Sequence, residues 1–247
     1  MPAAWDLVPD TERTADVYTT FILFCEDKVN EPSYFRSLQK NQKIKINIVE
    51  DQSSSFRNIL NTLAWCEKEG LLEPDGPSYR VKTGVTDHLW CVYDRDVRFE
   101  DPAQVDPQEN LAFNFAIQSA EGAGLRVAWS NDVFELWILL HFEDVEPGIW
   151  QHRDRIYERL TAIFKNLPDQ SPEMAAVTGR DKFSYELSFK RKAYFLQFVL
   201  PYLSGRRDDA IRRAVALEAA FPPEIRHHQC NPCTKVYHLV RSILSFS

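Results

Sequence analysis

The apolar positions of the chain fall into short runs separated by longer amphipathic stretches, and the short runs end in acid. Thr19-Thr20-Phe21-Ile22-Leu23-Phe24-Cys25 and Leu89-Trp90-Cys91-Val92-Tyr93 are each one strand long and too short for a free-standing helix. Neither alternates strictly, which predicts strands covered on both faces, as in a parallel sheet between helices. Residues 43–49 alternate polar and apolar and predict a less buried strand; residues 125–129 predict a further short one. Between them lie helical patterns. Pro32 suits the first turn of a helix carrying Tyr34, Phe35 and Leu38. Ser53, Ser54 and Ser55 offer N-caps for a helix through Ile59, Leu63 and Trp65, closed near Gly70. Residues 71–87, with Pro74, Gly76, Pro77 and Gly84, read as a long loop. A third helix runs through Leu111, Phe115 and Ile117, and Ser130-Asn131-Asp132 opens a fourth over Val133 to Phe142. The order strand, helix, four times over, predicts an α/β fold with a parallel sheet flanked by helices.

Pro147-Gly148 marks a change. Beyond it no strand is predicted, and residues 150–166, 183–203, 206–220 and 234–245 read as helices. The expected organisation is an N-terminal arm (1–18), an α/β domain (19–148) and a helical C-terminal region (149–247) packed on it. Charge follows the same division. Residues 1–150 carry 13 Lys and Arg against 26 Asp and Glu, while residues 151–247 carry 16 against 10. An acidic half suits a metal and a basic half suits a polyanion, unless both are simply mixed solvated surface. Five cysteines, an odd number with Cys25 and Cys91 inside predicted core strands, fit the reducing cytoplasm better than a disulfide framework. The first residues carry no basic segment followed by an apolar run, so no secretory signal is expected. No apolar window approaches the roughly eighteen residues of a membrane span.

The candidate chemistry lies at the carboxyl ends of the predicted strands, where sheets of this kind place their sites. These ends are Glu26, Asp94 with Asp96, and Ser130 to Asp132. Asp94 and Asp96 either share a divalent cation that relieves their repulsion or begin a solvated loop. With Glu26 added, three hard oxygen donors suit magnesium, with manganese as a substitute. Glu135 is either a fourth site acid or, as Asp132-x-x-Glu135, part of a helix cap. Asn131 is a phosphate-contacting amide or a turn residue. Lys28, in the first strand–helix loop, meets a phosphate or is solvated. Lys190 and Arg191, in the basic run Lys190-Arg191-Lys192, would position a nucleic-acid backbone. His141 follows an apolar stripe and reads as a core histidine rather than a base. His227, His228, Cys230, Cys233 and His238 invite a zinc reading, but a turn into a helix at Thr234 fits better. With 8 Gly in 247 residues, no Gly-rich phosphate loop is present, and no nucleophile elbow is seen.

Four patches together resemble one family. Cys25-Glu26-Asp27-Lys28-Val29-Asn30-Glu31-Pro32-Ser33-Tyr34-Phe35 resembles the Cys-Glu-Gly-x-x-Thr-Glu-Pro-x-Tyr-Phe segment of RloB-like proteins. Val92-Tyr93-Asp94-Arg95-Asp96 is similar to their Asp-x-Asp strand. Ser130-Asn131-Asp132-Val133-Phe134-Glu135-Leu136-Trp137-Ile138-Leu139-Leu140-His141-Phe142 is similar to their Ser-Asn-Pro-x-Phe-Glu-Leu-Trp-x-Leu-Leu-His-Phe signature. Asn231-Pro232-Cys233-Thr234 resembles their Asn-Pro-x-Thr segment. The resemblance implies a Toprim-like fold, shared with topoisomerases, primases and overcoming-lysogenization-defect nucleases. It implies a nuclease acting on RNA, tRNA included, or DNA in bacterial antiviral defence, often beside an AAA- or ABC-type ATPase; a homo-oligomer is compatible with it. It implies that Glu26, Asp94 and Asp96 hold magnesium, and it matches Glu31 and Glu135 to further family acids. An alternative is a catalytically weak binding or sensor module serving the ATPase. Three departures stand out: Asp27 replaces the family Gly, Asn30 replaces the Thr, and Asp132 replaces the usual Pro, the last mattering less because both suit a helix start.

Overall fold

A computed structural model describes residues 19–39, 43–52, 55–76, 78–85 and 87–246. The expected arm, residues 1–18, and two of the three candidate capping serines, Ser53 and Ser54, lie outside the described residues. The architecture is α/β. Four parallel strands, β1 (Thr19–Cys25), β2 (Ile44–Val49), β5 (His88–Asp94) and β6 (Arg126–Asn131), stand in the order β2-β1-β5-β6. A two-residue strand, β7 (Cys233–Thr234), closes the far edge antiparallel to β6.

Alternation along the strands explains the layers. Phe21, Leu23, Trp90, Val92 and Ala128 face one core; Ile22, Phe24, Cys91, Tyr93 and Trp129 face the other. The second core is covered by α2 (Ser55–Lys68) and α3 (Pro107–Gly122), through Ile59, Cys66, Phe113 and Ile117. The first is covered by α1 (Asn30–Arg36), α4 (Glu135–Leu139), α5 (Arg153–Lys165), α6 (Pro172–Thr178) and the helices that follow. Sheet residues and residues as distant as Phe164, Phe198 and Val240 belong to one continuous buried cluster. Each such aromatic or aliphatic side chain contributes about 1.5–3 kcal/mol when fully removed from water. The helical C-terminal part is therefore fastened to the sheet by its own hydrophobic surface.

Four expectations need correction. The stretch 71–87 is not all loop: β3 (Leu72–Asp75) and β4 (Ser78–Val81) form a hairpin whose turn lies between the paired Asp75 and Ser78, with Gly76 at φ +60°. A strand does occur beyond Pro147-Gly148, but β7 is too short to carry a periodicity. The Val133–Phe142 helix is α-helical only over α4. At its ends Leu136 N–H bonds Val133 O and His141 N–H bonds Ile138 O, a tighter three-residue winding. The helix expected over 183–203 is broken into π-helical Tyr185–Phe189, α7 (Lys192–Tyr194), π-helical Phe195–Val199 and α8 (Leu200–Leu203), the last bearing Pro201. Helices α9 (Arg207–Ala219) and α10 (Val236–Leu244) complete the chain. No helix among the described residues is long and apolar enough to cross a membrane.

Candidate active site

Because β1, β5 and β6 are parallel neighbours, their last residues meet at one edge. The ladder aligns Cys25 with Val92, and Asp94 with Ser130. Glu26 N–H continues the pairing onto Val92 O at 3.1 Å. Its side chain then folds back across the end of β5, where Glu26 Oε2 accepts from Asp94 N–H at 2.9 Å. Residues 68 positions apart in sequence are thus in contact. Asp94 Oδ2 in turn accepts from Phe134 N–H at 2.8 Å, which ties β5 to the turn before α4.

Two further carboxylates enter from the helices. Glu31, in the first turn of α1, is buried and accepts from Asp27 N–H at 3.2 Å. Glu135, first residue of α4, is buried; its Oε1 accepts from Asn30 Nδ2 at 3.0 Å and pairs with Lys190 Nζ at 3.2 Å. The helix-cap alternative for Asp132 and Glu135 is not formed. Asp132, fully enclosed, instead accepts from Val97 N–H at 2.6 Å and from the backbone and guanidinium of Arg153. Asp96 lies at φ +57°, a left-handed conformation that Asp tolerates, and its Oδ1 pairs with Arg153 at 2.8 Å.

Six acids and two cations therefore share the edge. Arg153 answers Asp132 and Asp96, and Lys190 answers Glu135; Glu26, Glu31 and Asp94 have no ion-pair partner among the described residues. Their carboxyls respond as crowded groups must. Burial lifts Glu26 to about 8; the Asp94 amide opposes the rise, and Asp96, close enough to share a proton, adds to it. Burial, then the charge of Glu26, raises Glu31 well above the usual carboxylate range. Burial, then Glu31 and Glu26, does the same to Asp94. Lys190 goes the opposite way from a buried amine: burial lowers it, but Glu135 and Tyr157 outweigh that and keep it charged. Its Nζ also donates to Tyr157 Oη at 2.9 Å.

Among the described residues, no three carboxylates, histidines or cysteines surround a common point as a preformed metal cage. The donor chemistry nevertheless suits magnesium, which takes hard oxygens and often needs only one or two carboxylates beside water and substrate oxygens. Glu26, Glu31 and Asp94 each engage one oxygen with a backbone N–H, which orients the other. Asn30 Oδ1 is buried without a partner, beside the amide group that holds Glu135. An orphaned oxygen among uncompensated carboxylates is the arrangement that a cation would relieve.

The remaining expected residues are placed as follows. Lys28 is exposed and pairs with Asp51 at 2.9 Å. Asn131 is fully buried; its amide joins Arg95, Cys230 O, His228 O and Asn231, so it fastens the C-terminal segment instead of facing the open edge. Arg191 is exposed one residue past Lys190. His141 is a core histidine, with Nδ1 on Trp137 O and Nε2 near Tyr34 Oη. His228 meets Asn114, His238 meets Glu218, and Cys230 Sγ meets Arg226 O, so the cluster considered for zinc is engaged elsewhere. Asp27 bonds the amides of Val29 and Asn30, which gives the residue at the family's Gly position a turn-capping task. Arg153 and Tyr157 are not among the candidates that the sequence offers, and Asn30 enters there only in place of the family Thr. Arg153 and Tyr157 lie beyond the predicted domain change, where only charge and helix pattern were read.

The family model described as RloB-like protein matches residues 21–243. The chain belongs to the RloB-like family. The match runs from within β1 to within α10, so the acids, Arg153, Lys190 and the helical part of this RloB-like chain all lie within it. No curated protein and no solved structure matches it.

Proposed function

We propose that this RloB-like chain is a magnesium-dependent phosphodiesterase that cuts RNA, tRNA in the first instance, or DNA, as a cytoplasmic nuclease of antiviral defence. The observation that carries the reading is the 2.9 Å bond from Asp94 N–H to Glu26 Oε2, which brings acids from two strand ends onto one edge. Glu26 and Asp94 would hold the ion, with Asp96 beside them; manganese is a permitted substitute. When bound, the ion supplies charge stabilisation at a phosphate and a more acidic water. The chain's own residues do the rest. Lys190 presents a fixed positive charge, and Glu135 with Tyr157 orients it. Arg191 extends that charge outward along a phosphate backbone, and Lys28 borders the same strand–helix turn. A Toprim-like fold and an AAA- or ABC-type ATPase partner belong to this reading.

The test is purified protein with tRNA and with plasmid DNA, magnesium present or chelated, resolved on gels. Cleavage that needs magnesium and disappears in Asp94→Asn is expected. Equal cleavage by wild type and Asp94→Asn sinks the proposal. A second reading, a Toprim-like sensor module without catalysis, is favoured by one feature: Asp96 and Glu135 already carry protein cations. Calorimetry that detects the ATPase partner but no magnesium would select it.

A further inference from the structure

Arg153 opens α5, yet its side chain reaches out of the helical part into the acid edge. Its Nε and Nη2 grip the fully enclosed Asp132 at 3.1 and 3.0 Å, and Nη2 also donates to Val97 O at 3.1 Å. The remaining arm, Nη1, lies 2.8 Å from Asp96 Oδ1. Asp96 is held from its backbone too, since its N–H donates to Asp132 O at 3.2 Å. Both contacts therefore lead back to Asp132. A guanidinium locked on one side by a buried carboxylate is a rigid fork, and Asp96 must sit where that fork points.

We propose that Arg153 is a positioning residue that withholds one oxygen of Asp96 from the metal and so keeps the divalent ion weakly held and exchangeable. The inference rests on the metal-dependent reading above. Its physical basis is a fixed positive charge beside the ion's place, which lowers affinity by direct repulsion and by occupying an anionic oxygen. Weak holding has a use: an ion that enters and leaves with substrate phosphate is engaged only when a polyanion is present. A purely structural role for Arg153 makes the opposite prediction, because loosening the edge weakens metal binding.

The experiment is calorimetric titration of the full chain with manganese, without nucleic acid, near neutral pH. Arg153→Gln binds manganese roughly tenfold more tightly than wild type, as removal of one nearby charge requires. Arg155→Gln, at an exposed arginine 3.8 Å from Glu100, stays within about twofold and controls for general charge. Unchanged or weaker binding by a folded Arg153→Gln overturns the proposal. Should Arg153→Gln fail to melt cooperatively, Arg153→Lys keeps a cation beside Asp132 but loses the fork; it binds roughly threefold tighter, and unchanged affinity is the overturning result. Absence of manganese binding by wild type defeats the metal reading itself, a separate outcome from wild-type binding that Arg153 does not affect.

Discussion

Replacing Glu26 with glutamine stabilises the metal-free protein, and only above mildly acidic pH. The carboxyl of Glu26 moves from 4.5 to about 8 on folding. Between those values the folded chain keeps a proton that the unfolded chain has released, so stability falls as pH rises through the interval and levels off above it. The loss is on the order of 5 kcal/mol once pH passes 8, and roughly 3 kcal/mol at pH 7. Glutamine carries no charge to bury and keeps an oxygen for Asp94 N–H. Urea unfolding in the presence of chelator, at about pH 5 and pH 8, measures the difference between Glu26→Gln and wild type. The two lie within about 1 kcal/mol near pH 5 and separate in favour of the variant at pH 8. On the proposed magnesium reading, added magnesium narrows the gap from the wild-type side, because a ligand of the folded state stabilises only the chain that binds it. A variant no more stable than wild type at pH 8, or a difference that does not change with pH, refutes the claim that this carboxylate is buried without compensation.

Three further outcomes follow from the packing. His141 is lowered from 6.5 to about 4 by burial, so the folded form declines a proton that the unfolded form accepts; stability present above 6.5 is lost as pH falls to 4. The loss is about 3 kcal/mol and is absent from His141→Asn, as paired thermal melts would show; equal slopes would count against it. Phe164 is fully buried against Phe142, Tyr185, Phe189 and Tyr202, and Phe164→Ala costs about 3–5 kcal/mol. That cost appears in a single unfolding transition reported alike by sheet and helix probes; two separate transitions would mean that the helical part is independent. Asp132→Ala leaves Val97 N–H unpaired and the Arg153 guanidinium without its buried anion, and lowers stability by about 3 kcal/mol in chemical unfolding. A change below about 1 kcal/mol would show that solvent replaces the carboxylate.

The parallel sheet is legible because β1 and β5 are hydrophobic on both faces, β2 alternates as a less buried strand does, and helical patterns with readable ends separate them. The acid edge was legible for the same reason: a buried strand stops abruptly at Glu26 and at Asp94. What periodicity cannot carry was missed. Strand β7 is two residues long. The segment Tyr185–Phe189 keeps an apolar pattern that ordinary helix reading accepts, although its winding is wider. Helix α6 is absent from the expected elements, although Ser171-Pro172-Glu173 is a readable helix start in which the Ser171 hydroxyl accepts from Met174 N–H. At the site, sequence supplied the acids but not their partners. Arg153 and Lys190 are ordinary basic residues of amphipathic helices until three-dimensional contact sets each against a carboxylate.

Between the two site aspartates, Arg95 turns away from the acids. It donates to His228 O at 2.7 Å, reaches Asn110 and Asn131, and lies over the rings of Phe113 and Trp150. The loop that bears Asp94 and Asp96 is thereby anchored to backbone more than a hundred residues downstream. During synthesis, a ribosome-bound fragment ending before His228 would own every acid yet lack the anchor that aims them. In the order of translation the acids therefore emerge well before the segment that aims them, so the edge takes its final shape only once both are made.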